Sequence, residues 1–371
     1  MAAPRDADVT VCVPAYKSAA MVGETLSALQ AQTYDRLRIV VSVDASPDDT
    51  LEVCRSFTAD PRIEVIGQPQ RLGWIGNTNA VLAQVQTELF FICPHDDLPS
   101  PTYVERLRRT LLQRPEAIGA YCDVQAIDGD QIGAVTGLDA GPVERILALC
   151  EEKHGGVAWR SLNRSVVLQQ GLRMLDNPYQ GYNAHRTWLL ELLGMGPMIR
   201  VGSPLYRRRV RFDQDSVIQS WKAWPDHVRS AAAVEHTAQC LGILAGMRLR
   251  EEDRLTLQTA CILKMLDLLP RSDRQSATPL ATLLDLFARL TARLTSGAPA
   301  PAEQTLDPAA ISRICLDWGR GSLKAGQPAV AAGLFAEAAV LDPARAGEAG
   351  KHLRSSLKRA RREAAAGAPP D

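Results

Sequence analysis

Two adjacent carboxylates, Asp96 and Asp97, lie next to His95 and shortly after the apolar run of residues 89–92. In open α/β sheets, ligands bind outside the carboxyl ends of the strands. Paired acids beside a histidine at such a place suit a divalent cation that holds a diphosphate. The alternative is a solvated turn, because Asp, Pro and Ser all favour turns. The residues upstream decide between these two interpretations.

Strands and helices alternate along the first half of the chain. The predicted strands lie at residues 9–13, 37–43, 62–66, 89–93, 118–127, 131–135 and 199–206. The predicted helices lie at residues 19–33, 79–85, 101–113, 145–150, 188–193, 227–247, 254–269 and 279–294, with one more after a cap at Asp48 or Asp49. Residues 154–183 are predicted to be rich in loops. This alternation predicts an α/β fold with a mainly parallel sheet and helices on both faces.

The bulk composition excludes several classes of protein. The 371 residues carry 42 basic and 42 acidic side chains, so the neutral chain has no general attraction for nucleic acid. The eight cysteines form no CxxC pair, which predicts buried thiols in a reducing compartment. No run approaches the roughly 20 apolar residues of a membrane-spanning helix, and the first residues lack the apolar core of a signal peptide. We therefore expect a cytoplasmic protein without a transmembrane segment that binds no nucleic acid.

Four motifs in chain order resemble those of the family 2 glycosyltransferases. They are the strand end Pro14-Ala15-Tyr16, the acidic segment from Asp44 to Thr50, the loop from Arg71 to Asn79, and Pro94-His95-Asp96-Asp97. Together they span residues 14–97 at the spacing of the family, which is far more specific than any one motif. The resemblance implies the GT-A fold, a Rossmann-like nucleotide-sugar domain. It also implies a hexosyltransferase-type enzyme that moves a sugar from a nucleoside diphosphate to an acceptor hydroxyl with inversion.

The resemblance also implies roles for individual residues. The nucleotide-sugar would be bound by the following residues: Pro14, Ala15, Tyr16, Asp44, Arg71, Asn79, His95 and Asp96. Asp96 would ligate Mn²⁺ or Mg²⁺ on the diphosphate, and Asp97 would be a further metal residue. Pro94 stands where the family has the first aspartate of its metal motif, and proline has no side-chain ligand. The need for a metal therefore stays open.

The general base is the second departure from the family pattern. In the family an acidic pair precedes an aromatic-led helix, but Asn183 and Ala184 stand there in this chain. His185 is adjacent, and the ordinary pKa of histidine suits a general base. Asp176, slightly earlier, is the other candidate, and the sequence leaves both open.

The resemblance covers a little over half of the chain. We predict a GT-A domain at residues 7–215, a helical extension at 216–295, a Pro/Ala-rich linker at 296–308, and a tetratricopeptide-like hairpin with its tail at 309–360. The helical half would shape the acceptor side, mediate self-association or bind a protein partner. The acceptor could be a glycan, a lipid, a protein or a small molecule.

Three other functions compete with the transferase. A catalytically weak or inactive relative would bind nucleotide-sugar or act as a scaffold through its helical half. A nucleotidyltransferase needs a Gly-rich loop with Arg or Lys after the first strand, where this chain has Pro14-Ala15-Tyr16-Lys17. A dinucleotide-binding oxidoreductase needs a GxGxxG segment at the same place, which the chain lacks.

Overall fold

A computed structural model describes residues 7–127, 129, 132–151, 157–209, 217–268 and 328–366, together with residues 290, 293, 312–313, 315–317, 320 and 323–324. The chain divides into two compact units. One contains residues 1–223 and 236–265, and the other contains residues 224–235 and 266–371. The predicted domain boundaries stay predictions, and the predicted linker at 296–308 lies outside the described residues.

Within the described part of the chain, nine strands form one mixed sheet. They are β1 (Val9–Ala15), β2 (Leu37–Val43), β3 (Ile63–Gly67), β4 (Leu89–Ile92), β5 (Leu98–Pro99), β6 (Gly119–Ala126), β7 (Ile132–Gly133), β8 (Ser161–Arg164) and β9 (Met198–Arg208). Their order across the sheet is β3-β2-β1-β4-β8-β6-β9-β5, and β7 pairs with β6. Every residue of β2 is buried, as expected for a strand that helices cover on both faces.

The parallel core of the sheet matches the prediction. Strand β1 pairs in parallel with β2 and β4, and β2 pairs in parallel with β3. Parallel strands in one register bring the carboxyl ends of β1 and β2 to the same edge, where the loops after Ala15 and Val43 meet. The short strand β8 is antiparallel to both β4 and β6 and lies in the segment predicted to be mainly loop. Its polar sequence, Ser-Leu-Asn-Arg, does not indicate a strand. The segment is a strand because its backbone pairs with both β4 and β6.

Twelve α-helices can be bounded in the described residues. They are α1 (Val22–Gln30), α2 (Thr50–Ser56), α3 (Gly73–Leu82), α4 (Tyr103–Gln113), α5 (Pro142–Glu151), α6 (Val166–Gln169), α7 (Ala184–Met195), α8 (Val217–Lys222), α9 (Asp226–Gly246), α10 (Glu251–Leu268), α11 (Pro328–Leu341) and α12 (Ala346–Ala366). Helix α3 begins six residues before its predicted start at Asn79, because the distant carboxylate of Asp44 accepts the backbone N–H of Leu72 just before Gly73. None of the described helices combines the length and the apolar character needed to span a bilayer.

The last two helices form a hairpin in the second unit. Leu334, Phe335 and Ala338 of α11 pack with Ala349 of α12 in one buried cluster. The predicted tetratricopeptide-like hairpin with its tail at residues 309–360 overlaps α11 and most of α12, and most of residues 309–327 lie outside the described part. That motif therefore stays a prediction. The predicted helix at 279–294 is described only at Leu290 and Arg293, both of which are helical.

Candidate functional site

The loop after β1 is fastened to the loop after β2. Lys17, which has a positive φ of 45°, donates its backbone N–H to the Ser46 hydroxyl at 2.8 Å. The guanidinium of Arg71 lies 3.4 Å from the centroid of the Tyr16 ring. A guanidinium at this distance from an aromatic face makes a cation–π contact. Two residues that were predicted separately to contact the nucleotide are thus stacked together at this edge of the sheet.

Asp44, at the end of β2, is 1% exposed. One of its carboxylate oxygens accepts the backbone N–H of Leu72 at 2.6 Å. Burial raises the pKa of Asp44, and hydrogen bonds from the amides of Leu72 and Gly73 oppose that shift. The carboxylate therefore holds the start of α3 in the way that a capping residue does, and its predicted contact with the base stays a prediction.

The loop after β4 approaches the end of β1. The Nδ1 atom of His95 lies 3.1 Å from the carbonyl oxygen of Pro14, so these two predicted site residues are neighbours. The other ring nitrogen, Nε2, is buried and has no hydrogen-bond partner among the described residues. Ala15 is buried, and its carbonyl oxygen accepts the backbone N–H of Asp44 at 3.0 Å. Backbone contacts thus join three of the predicted site segments.

The two adjacent acids have different surroundings. Asp97 is 1% exposed, and its Oδ2 accepts Nε of Arg160 at 2.7 Å. Its Oδ1 accepts the backbone N–H of Arg209 at 3.2 Å. Asp96 is half-buried, and no described residue donates a hydrogen bond to its carboxylate. Asp96 is therefore available to a ligand, whereas Asp97 joins β4 to residues far along the chain.

Arg160 is a site residue whose position the sequence did not indicate. It forms the buried ion pair with Asp97. Burial alone would lower the pKa of Arg160, but the charge of Asp97 outweighs this and keeps the pKa above its usual value. Its guanidinium also lies 5.7 Å from the Tyr206 ring centroid. No local pattern marks it, because its partner lies 63 residues away.

The donor set fits a metal that a diphosphate shares. Among the described residues, no three His, Cys, Asp or Glu side chains form a ready-made metal site. Magnesium is commonly held by one or two carboxylates with substrate phosphates and water as its other ligands. Asp96 supplies one carboxylate without an internal partner, and the buried Nε2 of His95 is a further unpaired polar atom beside it. These groups suit a cation that arrives with its substrate.

The two candidate bases lie in different environments. His185 is half-buried in the first turn of α7. Desolvation, reinforced by the nearby charges of Arg186, His236 and Arg160, lowers the pKa of His185 to about 3. Asp176 is exposed, and its Oδ1 accepts the backbone N–H of Asn177. Arg160, which pairs with Asp97, is thus among the charges that act on His185.

Asn79 has a structural partner in this arrangement. Its side-chain amide donates to the carbonyl oxygen of Met174 and accepts the N–H of Met174, both at 2.9 Å. This two-way pairing fastens α3 to the segment that leads to Asp176. A nucleotide contact by Asn79 stays a prediction.

Residues 10–152 match the family model "Glycosyl transferase family 2". An uncharacterized glycosyltransferase of Haemophilus influenzae is 31% identical over 120 residues, which are 31% of this chain and 37% of the relative. Glycosyltransferase GlyG of Streptococcus pneumoniae is 27% identical over 134 residues, 35% of this chain and 44% of that protein. These matches thus span less than half the length of either curated relative.

A solved structure, S. aureus TarS 1-349 in complex with UDP-GlcNAc, has a TM-score of 0.61 at 11% identity, with 90% of this chain and 91% of that chain covered. At this identity the likeness shows the fold. The predicted fold class, a GT-A-like mixed and mainly parallel sheet followed by a helical region, is confirmed. Residues 10–152 of this chain thus resemble a glycosyl transferase family 2 domain in sequence, and the sheet that they help to form has the matching fold.

Proposed function

We propose that the protein is a glycosyltransferase that moves a sugar from a nucleoside-diphosphate sugar to an acceptor hydroxyl with inversion. The observation that carries this proposal is the edge of the sheet in the family 2 domain. There the stacked pair Tyr16–Arg71 and the half-buried carboxylate of Asp96 lie at the ends of strands β1 and β4. An open carboxylate and a stacked aromatic ring at the ends of two neighbouring strands suit a ligand that carries both a base and a diphosphate. The UDP-GlcNAc complex of TarS, which has a similar fold, supports this class of donor.

Each group at this edge has a task in the proposed reaction. Tyr16 and Arg71 bind the base and ribose, and Asp44 accepts a hydrogen bond from the base through its second carboxylate oxygen. Asp96 holds Mn²⁺ or Mg²⁺, which would neutralise the charge that builds on the leaving diphosphate. The ion pair of Asp97 with Arg160 positions the loop that presents Asp96.

We assign the general base to His185. It is neutral at pH 7 because its pKa is lowered, so it can accept a proton. A bound diphosphate would raise this pKa, since nearby negative charge favours the imidazolium. His185→Gln should lower transfer by about 10²–10⁴-fold, the usual worth of a general base, whereas Asp176→Asn should change it little. The reverse result would move the base to Asp176.

Thermal-shift titration tests the donor site directly. The full chain is titrated with UDP-, GDP-, dTDP- and CDP-sugars, with and without Mn²⁺, and the same series is repeated for Asp96→Asn. We expect a metal-dependent rise in Tm with one nucleotide, which Asp96→Asn abolishes, because ligand binding to the folded state stabilises it. Asp35→Asn, at an exposed acid before β2, is the matched control and should keep the shift.

Two results would contradict the proposal. If no nucleotide raises Tm, the edge does not bind donor, and the scaffold function of the helical half gains support. If Asp96→Asn and Asp35→Asn both keep the full shift, Asp96 does not hold the diphosphate. Sugar transfer is measured in a separate assay, as the release of nucleoside diphosphate in the presence of candidate acceptors.

A further inference from the structure

Four side chains of the first unit form an aromatic cluster, which consists of Trp74, Tyr182, Trp221 and His236. The rings of Tyr182 and Trp221 are 5.2 Å apart at 68°, and those of Trp74 and Trp221 are 6.4 Å apart at 57°. The His236 ring lies edge-on to Tyr182 at 6.4 Å. These residues come from α3, the turn before α7, α8 and α9. Elements from four parts of the chain thus converge on one set of rings.

The geometry of Trp74 is fixed by its surroundings. Its indole N–H donates to the carbonyl oxygen of Gln180 at 2.7 Å. Gly181, with a φ of +65°, lies so close that an added Cβ would be 2.9 Å from Trp74. The Trp74 ring is therefore held against the turn before α7 and is half-exposed, as is Tyr182.

Two polar atoms of the aromatic cluster lack a partner. Trp221 is 8% exposed and His236 is 5% exposed. Among the described residues, neither Nε1 of Trp221 nor Nδ1 of His236 makes a hydrogen bond. The other ring nitrogen of His236 lies 3.7 Å from Sγ of Cys240. Both atoms therefore have unused hydrogen-bonding capacity, which the polar groups of a ligand can satisfy.

The aromatic cluster adjoins the candidate site on two sides. Trp74 lies three residues after Arg71 in the chain, and Arg71 stacks on Tyr16. Tyr182 of the aromatic cluster likewise lies three residues before His185 in the chain, and His236 is one of the groups that lower the pKa of His185. A group bound on these rings would therefore be next to the proposed base.

We propose that the aromatic cluster is the acceptor subsite and that it takes a pyranose ring. This assignment rests on the transferase function proposed above. One face of a pyranose carries C–H groups that pack on aromatic rings, while its hydroxyls donate and accept hydrogen bonds. Tyr and Trp suit such a ligand because they offer an apolar body and a polar tip. A ring hydroxyl would accept the Trp221 N–H, and another would pair with Nδ1 of His236.

Fluorine NMR of the full chain tests this proposal with simple probes. Tryptophan is replaced by 5-fluorotryptophan, and each resonance is assigned with a Trp→Phe variant. The probes are the methyl β-pyranosides of glucose, galactose and N-acetylglucosamine, each with and without UDP. Erythritol, which has hydroxyls and no ring face, is the control probe. We expect saturable shifts of the Trp74 and Trp221 resonances with at least one pyranoside and none with erythritol.

Trp221→Phe keeps an aromatic ring and removes the unpaired N–H. It should raise the dissociation constant of the pyranoside about tenfold, as expected for the loss of one hydrogen bond. The constant is measured from the shift of the Trp74 resonance. Trp188→Phe is the matched control, since Trp188 is fully buried and its N–H also lacks a partner among the described residues. That variant should change the constant less than twofold.

Three results would overturn the assignment. They are no shift with any pyranoside in either condition, equal shifts at Trp188, and a shift of Trp221 with UDP alone. The donor titration of Asp96→Asn is independent of this readout. Donor binding without a pyranoside shift therefore rejects only the acceptor subsite. A pyranoside shift without donor binding rejects the transferase and leaves a carbohydrate-binding site.

Discussion

At the scale of single residues, a distant arginine separates the functions of two neighbouring acids. Asp97 is buried with Arg160, while Asp96 has no partner among the described residues. Buried charges persist only when they are paired, so Asp97 is committed to structure. The half-buried carboxylate next to it has no partner among the described residues, as the proposed metal site requires. The two adjacent acids thus differ in burial and in pairing, so substitution of each should have a different effect.

Removal of the Asp97 carboxylate should strongly destabilise the protein. Asp97→Ala leaves the Arg160 guanidinium buried without its partner, and we expect a loss of about 3–5 kcal/mol in the free energy of unfolding. Urea denaturation measures this loss. Glu105→Ala is the control, because its ion pair with Arg109 is exposed (side chains 40% and 63% accessible) and should contribute less than about 1 kcal/mol. Similar losses in the two variants would contradict a buried pair.

The imidazoles of His236, which is buried, and His185, which is half-buried, should make the fold sensitive to acid. Desolvation and the charge of Arg186 lower the pKa of His236 to about 3, and the pKa of His185 is also lowered to about 3. In the unfolded chain, histidine has a pKa near 6.5. Between about pH 3 and pH 6.5 the unfolded chain therefore binds more protons than the folded protein does. The contribution of these two histidines to the free energy of unfolding is thus fully present above pH 6.5, and it is lost as the pH drops towards 3. Urea denaturation from pH 7 to 4 measures the slope.

His236→Gln should flatten this pH dependence, since one of the two groups that gain a proton on unfolding is gone. Proton NMR of the folded protein gives a direct check. An imidazole signal of His236 that titrates near pH 6.5 would refute the lowered pKa.

At the scale of elements, the turn before α7 positions both the candidate base and the aromatic cluster. Asn177 organises it by accepting the backbone N–H groups of Tyr179 and Tyr182 at 3.1 and 3.2 Å. Gln180, Gly181 and Asn183 all have positive φ, and Asn183 directly precedes α7. Only a well-packed turn keeps several residues in this region, because non-glycine residues with positive φ are strained. The turn therefore sets where His185 lies.

Gly181→Ala should disrupt this turn through a steric clash as well as backbone strain. Its Cβ would lie 2.6 Å from Cγ1 of Ile75, closer than packed atoms approach. Gly171→Ala is the matched control, since Gly171 has a φ of +98° and nothing within 4 Å of an added Cβ. We expect a loss of about 1–2 kcal/mol for Gly171→Ala, from strain alone, and about 3 kcal/mol or more for Gly181→Ala. Equal losses in urea denaturation would show that the contact of Gly181 with α3 is not tight.

At the scale of the whole molecule, acidic and basic side chains balance. The 42 acidic and 42 basic side chains give no net charge at pH 7, and the isoelectric point of the sequence is about 7.0. Proteins near zero net charge repel one another least. We expect the lowest solubility near pH 7 and higher values at pH 5.5 and 8.5, measured as the polyethylene glycol concentration at which the protein precipitates. A solubility minimum well away from pH 7 would mean that bound ions, or groups with shifted pKa values, change the net charge of the protein.

The sequence by itself determined the parallel core of the sheet and the segments that form its ligand edge. The runs at β1, β2 and β4 are apolar because both faces are covered, and this signal is local. The motifs after these strands follow from the same local order, so Tyr16, Asp44 and Asp96 could be placed at one edge before any coordinates.

Tertiary structure alone decided which partners these residues have. Strand β8 has no local signal and forms because β4 and β6 leave a place between them. Arg160 precedes β8 directly and reaches Asp97 across 63 residues of chain. The tryptophans of the aromatic cluster meet across an even longer separation. Periodicity reports only which face of an element is buried, whereas pairing between distant side chains depends on how the elements pack, and that becomes visible only in three dimensions.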